Sequence, residues 1–232
     1  MLIQSEINYS IKHFTDEELN LAQSVFGLMP QSVYFNFSVN VNLDIEKYKL
    51  FYVYGLSGEG KSVFKNVLLN KLSEKFNVID YDNFSNAEFF GRKISEIFDL
   101  HIDREFLISL FSTFGLFEMR NIFSKFEELS MGQQKRICYM YLIYEAFKNK
   151  SQSIILLDEF LTFVDSLSAK VFVTGLRKFM NEFLSNVILF GFGCNDNIIG
   201  YWEDILIILQ NGKIYEIVEI SEENREGIGD IK

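Results

Sequence analysis

Residues 49–62 read KLFYVYGLSGEGKS, and the class of fold can be inferred from them. An apolar run of strand length leads at once into residues 55–62, which match the pattern G-x-x-x-x-G-K-S. Glycines let the backbone curl with its amides pointing inward around a phosphate group, because side chains would block both the curl and the approach. The stretch therefore predicts a phosphate-binding loop between a buried strand and a helix.

This loop, known as a P-loop, gives its polar residues distinct expected roles. Lys61 can reach the β and γ phosphates of a nucleotide, Ser62 can ligate Mg²⁺, and the start of the following helix adds partial positive charge. The other interpretation is a glycine-rich turn that binds nothing, and the apolar strand before the loop makes that the weaker one. We expect nucleotide contacts from Gly55, Ser57, Gly58, Gly60, Lys61, Ser62 and Val63.

Two adjacent carboxylates close a second apolar run, SIILLDE at residues 153–159. Asp158 fits the Walker B role, in which a carboxylate at a strand end holds Mg²⁺ through its water shell opposite Ser62. Glu159, one residue further, is placed to polarise an attacking water as general base. Acids at a strand end can also simply face solvent, but the P-loop upstream favours the catalytic interpretation. We therefore expect Lys61, Asp158 and Glu159 to be catalytic, and Ser62 with Asp158 to bind the metal.

Strands alternate with helices along most of the chain, which implies a largely parallel sheet flanked by helices, with ligands at the carboxyl ends of the strands. Strands are predicted over one or two segments within 34–45, then over 49–55, 76–82, 153–160, 186–190, 204–210 and 213–220. Helices are predicted over about 61–75, much of 86–125, about 17 residues from Gly132, and about 166–183.

Composition and charge narrow the function classes. The formal net charge of −10 argues against a protein that holds nucleic acid by a general basic surface, although a local basic patch stays open. Cys138 and Cys194 form no spaced metal-binding or disulfide pattern, so a reducing cytoplasm is expected. Residues 1–14 lack the features of a secretory signal, and the longest apolar runs fall far short of a membrane span. We therefore expect a cytoplasmic protein without membrane insertion.

Between the two motifs, residues 129–136 read LSMGQQKR and resemble the LSGGQ signature of the ABC-type ATPase superfamily. Residues 158–165, DEFLTFVD, resemble that family's segment from Walker B to the D-loop and end at Asp165. The order and spacing of the motifs are similar to the family over about residues 33–218. The resemblance implies an α/β P-loop NTPase fold, that of the ABC-type nucleotide-binding domain, with a mainly parallel sheet, an N-terminal β portion and a short helical subdomain. It also implies ATP and Mg²⁺ as cofactors.

For the signature, the resemblance implies a role in trans, in which it caps the γ-phosphate bound to the P-loop of a second subunit. Ser130 offers a hydroxyl, Gly132 lets a bare amide come close, and the helix that starts there points its positive end at the phosphate. Gln133 and Asp165 are expected at the same interface. Ser130 could also be a helix N-cap, and the same residues can do both. The implied partner is a second ABC-type subunit, in a homodimer formed on ATP binding.

The resemblance also suggests a domain organisation. A helical arm is expected over about 84–145. Near the N-terminus, Thr15 and Glu18 form a capping box that predicts a helix over about 16–26. The expected divisions are an N-terminal extension with that one helix at 1–32, the ABC-type ATP-binding domain at 33–220 and a flexible acidic tail at 221–232.

One departure from the family concerns hydrolysis. In this family the strand after the D-loop usually ends in a switch histidine that contacts the γ-phosphate. Here residues 187–196 read VILFGFGCND and contain none. Cys194 or Asn195 could occupy the place, but neither has the charge or the reach of an imidazole. Hydrolysis is therefore expected to be slow.

Two other family features lack an obvious residue. No glutamine occurs within 32–132, so Asp82 or Asn83 could stand in for the Q-loop glutamine. An aromatic that stacks on adenine is expected upstream of the P-loop. Tyr34 and Phe35 are candidates, although either could equally be a core residue.

Three functions are consistent with these patterns. Ser62 and Ser130 are 68 residues apart, a compact spacing for a family whose transporter members use a long helical subdomain to grip membrane partners. Residues 94–180 also resemble small soluble non-transporter ABC ATPases that are often fused to acetyltransferase-like domains. The leading hypothesis is a soluble ATPase that acts at a head-to-tail dimer interface and couples closure to a protein or nucleic-acid partner. The alternatives are the ATP-binding subunit of an ABC membrane transporter and a non-hydrolysing ATP-dependent clamp or scaffold.

Overall fold

One sheet of eight strands organises the described part of the chain. The computed structural model describes residues 2–10, 24–25, 34–99, 102–162, 164–221 and 225. The strands are β1 Leu2–Ser10, β2 Tyr34–Asn42, β3 Leu50–Tyr54, β4 Asn77–Asp80, β5 Ser153–Leu157, β6 Val187–Gly193, β7 Ile205–Gln210 and β8 Lys213–Glu219. Across the sheet they follow the order β1-β2-β8-β7-β3-β6-β5-β4.

The centre of the sheet is parallel, as the alternation of strands and helices predicts. β3 pairs in parallel with both β6 and β7, and β5 pairs in parallel with β4 and β6. Antiparallel pairing joins β1 to β2 and β7 to β8, while β2 meets β8 in parallel at Ser38 and Lys213. Because β3, β6 and β5 are neighbouring parallel strands, their carboxyl ends meet at one edge of the sheet.

Helices pack against both faces of the sheet. The α-helices are α1 Lys61–Leu72, α2 Ile94–Ile97, α3 Arg104–Thr113, α4 Met119–Phe123, α5 Met131–Lys148 and α6 Ser166–Phe183. In α6 the buried residues include Ala169, Phe172, Val173 and Leu176, the spacing of a helix with one apolar face. This helix therefore has a single orientation that buries its apolar stripe against the core.

The core has two parts, one on each face of the sheet. Alternate residues of β3 belong to different parts, with Phe51 in one and Tyr52 in the other. Phe64 of α1 packs in the first part, where the ring of Phe51 stacks on Phe190 with the centroids 4.4 Å apart. In the second part, which contains Tyr52, the strands pack against residues of α3, α5 and α6. The central strands are thus buried on both faces, as their nearly unbroken apolar sequences require.

Between β4 and α5 the chain forms short helices in place of long ones. Besides α2, α3 and α4, this segment has 3₁₀ turns at Tyr81–Asn83, Asn86–Phe89 and Phe126–Glu128. Aromatic rings hold these pieces to α5, since the ring of Phe89 lies 5.0 Å from that of Tyr141. The helical character expected over 86–125 is present but interrupted, because local aromatic contacts rather than a continuous amphipathic repeat stabilise this segment.

Some element boundaries differ from the sequence expectations. α1 ends at Leu72, earlier than the predicted 75, because the amide of Phe76 returns to the carbonyl of Leu72 in a closing turn. The segments expected within 34–45 form the single strand β2. The helix expected at 16–26 lies largely outside the described residues, of which Ser24 and Val25 are helical.

The N-terminal strand β1 is absent from the sequence expectations, which place only one helix in residues 1–32. Residues 2–10 pair with β2 over its whole length, so β1 forms one edge of the described sheet. In the segment expected to be a flexible tail, Arg225 is buried and donates a hydrogen bond to the carbonyl of Glu203, 2.8 Å away. Within the described residues, no helix has the length and apolar character needed to cross a membrane.

Candidate active site

The glycine-rich loop follows β3 and bends sharply into α1. Gly58 and Gly60 have φ angles of 84° and 93°, a left-handed conformation that residues with a side chain rarely adopt. At Gly55 an added Cβ would lie 3.2 Å from the carbonyl oxygen of Leu209, closer than ordinary packing allows. The amide of Gly55 also donates to the carbonyl of Gly193 at the end of β6, at 3.2 Å. The contacts of Gly55 with the ends of β6 and β7 therefore hold the base of the loop in place.

The ammonium of Lys61 lies inside the curl of this loop. Its Nζ atom donates to the carbonyl oxygens of Gly55 and Leu56, at 2.6 Å and 2.8 Å. The first turn of α1 points its unpaired amides in the same direction. Together the loop, the ammonium and the helix N-terminus make the positively polarised surroundings that a phosphate group requires.

Asp158 and Ser62 face each other across the strand ends. Ser62 Oγ and Asp158 Oδ2 are 3.5 Å apart, and Asp158 Oδ1 accepts the amide of Glu159 at 2.8 Å. Hydroxyl and carboxylate oxygens are the hard donors that Mg²⁺ prefers. The proximity of these two side chains fits an ion that Ser62 would ligate and Asp158 would hold through its water shell.

Lys65, one turn beyond Lys61 on α1, belongs to none of the sequence motifs. Its side chain is 1% exposed, and its Nζ atom lies 3.3 Å from Asp80 Oδ1 and 3.5 Å from Asp158 Oδ2. It also donates to Asp82. Burial alone would lower the pKa of this ammonium, but the hydrogen bond and the three neighbouring carboxylates raise that pKa above its ordinary value. Nothing in the sequence of α1 distinguishes Lys65, because the same helix also contains Lys61 and Lys71.

Glu159 occupies a strained position directly after Asp158. Its φ angle is 49°, unusual for a residue with a side chain and common at functional sites. Thr162 Oγ1 donates to its carbonyl oxygen at 2.7 Å and so stabilises this turn. The Glu159 carboxylate is paired with Lys135 of α5, whose Nζ atom is 3.2 Å from Oε2. Neither Thr162 nor Lys135 was expected at this site.

The P-loop and the acidic pair line one cleft of about 550 Å³ at the carboxyl ends of β3, β5 and β6. The residues predicted for the P-loop and the acidic pair are therefore neighbours in space. Gly55, which forms the base of the loop, is not among the lining residues. The described lining consists of Ser57, Gly58, Gly60, Lys61, Ser62, Val63, Asp158, Glu159, Thr162, Gly193 and Cys194.

The residues of the signature lie beside this cleft and not in it, and Gly132 lines a small neighbouring pocket with Glu159 and Thr162. Ser130 caps α5, because its Oγ atom accepts the amide of Gln133 at 3.3 Å while Gln133 Oε1 accepts the amide of Ser130 at 3.0 Å. The capping alternative for Ser130 is thus realised in this structure. Gly132 has open space where a Cβ would stand, so packing within the described chain does not require a glycine there. Ser130, Gly132 and Gln133 are not among the described residues of the cleft.

Asp165 also acts as a helix cap. Its Oδ1 atom accepts the amide of Ser168 at 2.9 Å at the start of α6. The hydrogen bonds from Ser168 hold the pKa of the Asp165 carboxyl below its ordinary value. Like the signature residues, Asp165 is outside the described lining of the cleft.

Of the residues considered as substitutes for missing family features, one faces the cleft. Cys194 is exposed and lines it, whereas Asn195 caps the following turn by accepting the amide of Asn197. Asp82 is engaged by Lys65, and Asn83 donates to Asp80 Oδ2 at 3.0 Å. The side chains of Tyr34 and Phe35, the candidates for adenine stacking, lie outside what the structure describes.

Comparison with solved structures finds similar chains. The dimeric structure of MJ0796, described as a bacterial ABC transporter cassette, matches with a TM-score of 0.56 at 17% identity over 80% of this chain and 92% of that one. A post-hydrolysis dimer of MJ0796 bound to ADP and Pi matches with a TM-score of 0.59 at 16% identity, over 95% of this chain and 99% of that one. A third similar structure is cbiO1 from Clostridium perfringens, part of the ABC transporter complex cbiONQ. It matches with a TM-score of 0.53 at 16% identity, over 82% of this chain and 83% of that one.

Sequence comparisons add no further relative, since no protein-family model and no curated protein matches the chain. At the identities found among solved structures, the likeness defines the fold and not the activity. The mostly parallel sheet and its flanking helices agree with that likeness. The chain therefore has the α/β P-loop NTPase fold of ABC-type ATP-binding cassettes.

Proposed function

We propose that this chain is an ATP-binding ABC-type ATPase that binds ATP with Mg²⁺ and hydrolyses it slowly at a head-to-tail dimer interface. The observation that carries the proposal is the cleft itself. It joins the P-loop, Ser62, Asp158 and Glu159, which come from segments about 100 residues apart. Such a set of residues is suited to holding a nucleoside triphosphate beside a general base.

Each residue of the cleft has a specific task in this proposal. The loop amides and the Lys61 ammonium hold the phosphates and balance their negative charge. Ser62 and Asp158 would hold Mg²⁺, which when bound screens the charge of the phosphate oxygens. Glu159 lies at the mouth of the cleft, where its carboxylate orients the attacking water and accepts its proton once it turns away from Lys135.

The dimeric arrangement is supported by features that the single chain leaves unexplained. Ser130 is exposed at the start of α5, and Gly132 has open space beside it. A helix N-terminus with a bare glycine can approach a phosphate from outside the chain. The likeness to dimeric cassettes, one bound to ADP and Pi, favours the same arrangement. Slow turnover follows from Cys194, which lines the cleft where an imidazole is usual in this family.

The proposal is tested by phosphate release from the purified chain with ATP and Mg²⁺. Lys61→Ala should abolish release, because it removes the ammonium from the loop. Lys71→Ala is a matched control on the same helix, since Lys71 is exposed and pairs with Glu74. Binding of a fluorescent ATP analogue that is equal in all three proteins would reject the nucleotide site.

Phosphate release at the level of Lys61→Ala, with nucleotide binding intact, would instead favour the ATP-dependent clamp. The closed dimer would then be the functional product of ATP binding. The partner that senses closure is proposed to be a protein or a nucleic acid. A search for partners should therefore use the ATP-bound chain as bait.

A second candidate, the ATP-binding subunit of a membrane transporter, is favoured by the structural likeness to transporter cassettes. It predicts recovery of the protein with membranes through a subunit that has apolar spans. Recovery in the cytoplasmic fraction at normal expression would favour the first candidate.

A further inference from the structure

Lys65 connects three separate segments of the chain at the candidate metal site. Asp80 ends β4, Asp82 lies in the 3₁₀ turn that follows it, and Asp158 follows β5. All three carboxylates contact the one ammonium, which is 1% exposed. Asp80 is also nearly buried, with its side chain 4% exposed. The cluster is therefore an ionic network around a buried ammonium, and its members depend on one another.

The contact with Asp158 involves the oxygen that faces Ser62. Lys65 Nζ and Ser62 Oγ each lie 3.5 Å from Asp158 Oδ2. A cation held by Ser62 and Asp158 would share this oxygen with the ammonium. Lys65 thus stands directly behind the candidate metal site.

We propose that Lys65 is a positioning residue that holds Asp158 for the metal, sets the charge of the metal site, and ties the turn after β4 to it. This proposal rests on the proposed function. Three carboxylates and one ammonium leave the cluster with a net charge of −2, which one divalent cation neutralises. The charge of Lys65 therefore determines how strongly nucleotide binding depends on Mg²⁺.

The same bond links the metal site to the helical segment. Asp82 belongs to the turn at Tyr81–Asn83, which leads into the short helices before α5. Asp82, one of the two candidates to replace the Q-loop glutamine, reaches the site through the Lys65 ammonium. A change of charge at Asp158 is thereby transmitted to the turn by a single ionic bridge.

The test compares two variants that change the cluster charge in opposite directions. Lys65→Met removes a positive charge, and Asp82→Asn removes a negative one. For each protein the dissociation constant of a fluorescent ATP analogue is measured in EDTA and in excess Mg²⁺. The coupling ratio is the dissociation constant in EDTA divided by the dissociation constant in Mg²⁺. It reports the coupling between metal and nucleotide. Glu74→Gln, an exposed acid just after α1, is the control for a change of charge alone.

The coupling ratio should rise about two- to tenfold in Lys65→Met, because a more negative cluster repels metal-free ATP and attracts Mg²⁺. It should fall by a similar factor in Asp82→Asn. Lys65→Arg, which keeps the charge, should stay close to the unaltered chain. Shifts in the same direction for the first two variants, or no shift in either, would overturn the role of Lys65.

Removing one partner of a buried ion pair can unfold a protein. If circular dichroism shows that Lys65→Met is unfolded, Asp82→Asn decides alone, because the Asp82 side chain is 52% exposed. A lower ratio then supports the proposal, and an equal or higher ratio overturns it. Absence of nucleotide binding by the unaltered chain in Mg²⁺ would reject the proposed function itself, a result distinct from a wrong direction of the shifts.

Discussion

Lys135 Nζ lies 3.2 Å from Glu159 Oε2, so the helix that begins at the signature is bonded to the carboxylate proposed as general base. The Glu159 side chain is 65% exposed and that of Lys135 is 16% exposed. The ammonium also lies 5.6 Å from the centre of the Tyr81 ring. Because the Lys135 side chain is mostly buried and its ammonium lies near the Tyr81 ring, it anchors the exposed Glu159 carboxylate, which is otherwise free to turn.

Lys135→Gln should increase phosphate release, because the anchor must be released before Glu159 can turn toward the attacking water. Exposed ion pairs are worth up to about 1 kcal/mol, which corresponds to at most about fivefold in rate. Lys148→Gln is the control, since Lys148 lies on the same helix and pairs with Glu145 at 2.9 Å. A strong loss of release in Lys135→Gln alone would mean that Lys135 assists the reaction and does not restrain it.

Glu159→Gln should keep ATP binding and lower phosphate release by about 10²-fold or more, the usual contribution of a general base. Gln cannot accept the proton, so ATP stays intact and closed dimers accumulate. Light scattering in ATP and Mg²⁺ should therefore show a dimer, and Glu216→Gln on the exposed face of β8 should not trap one. Detection of monomer alone in Glu159→Gln would contradict the head-to-tail arrangement.

The parts of this site that lie together in sequence were predictable. The P-loop and the acidic pair are contiguous motifs, and each follows an apolar strand, so the parallel sheet brings them together at one edge. Lys65 and Lys135 were not predictable in the same way. Their partners come from distant segments, and only the tertiary structure shows that a lysine on α1 meets three carboxylates.

The strands of the sheet likewise differ in how far their own sequences predict them. Strands such as β5 and β6 are apolar runs that any parallel sheet would bury. β1 has no such run, and its register is defined by its antiparallel partner β2. Its pairing therefore depended on a neighbour that the sequence of β1 does not reveal.

Cys194 offers a test of the cleft that does not need turnover. It is exposed in the cleft, whereas Cys138 is buried and burial raises the pKa of its thiol to about 12. At about pH 8 a thiol reagent should therefore modify Cys194 and spare Cys138. ATP with Mg²⁺ at saturating concentration should slow this modification at least about tenfold, because the phosphates cover the thiol.

Two variants control the labelling experiment. Cys194→Ser should remove the reactive thiol and leave Cys138 silent. Lys61→Ala should keep the reaction and lose the protection, because nucleotide binding is impaired. Modification of Cys194 at an unchanged rate in a chain saturated with ATP would place the nucleotide outside this cleft.

Gly132 differs from glycines that the fold itself requires. At Gly191 an added Cβ would lie 2.8 Å from the Phe160 ring, so internal packing excludes a side chain. At Gly132 the same atom would meet nothing within 4 Å. Packing within the described chain therefore does not require a glycine at position 132, and the proposed approach of a second subunit's phosphate can be tested there.

Gly132→Ala separates stability from dimer formation. Alanine is favoured over glycine within a helix by up to about 1 kcal/mol, so thermal unfolding should occur at the same or a higher temperature. The new methyl group should nevertheless weaken the ATP-dependent dimer, because the α5 amide can no longer come close to a phosphate. Gly175→Ala in α6 is the matched control, since its Cβ would meet Thr113 at an ordinary 3.7 Å and it lies outside the cleft. Equal dimerisation of both variants with the Glu159→Gln background would show that Gly132 does not face the partner.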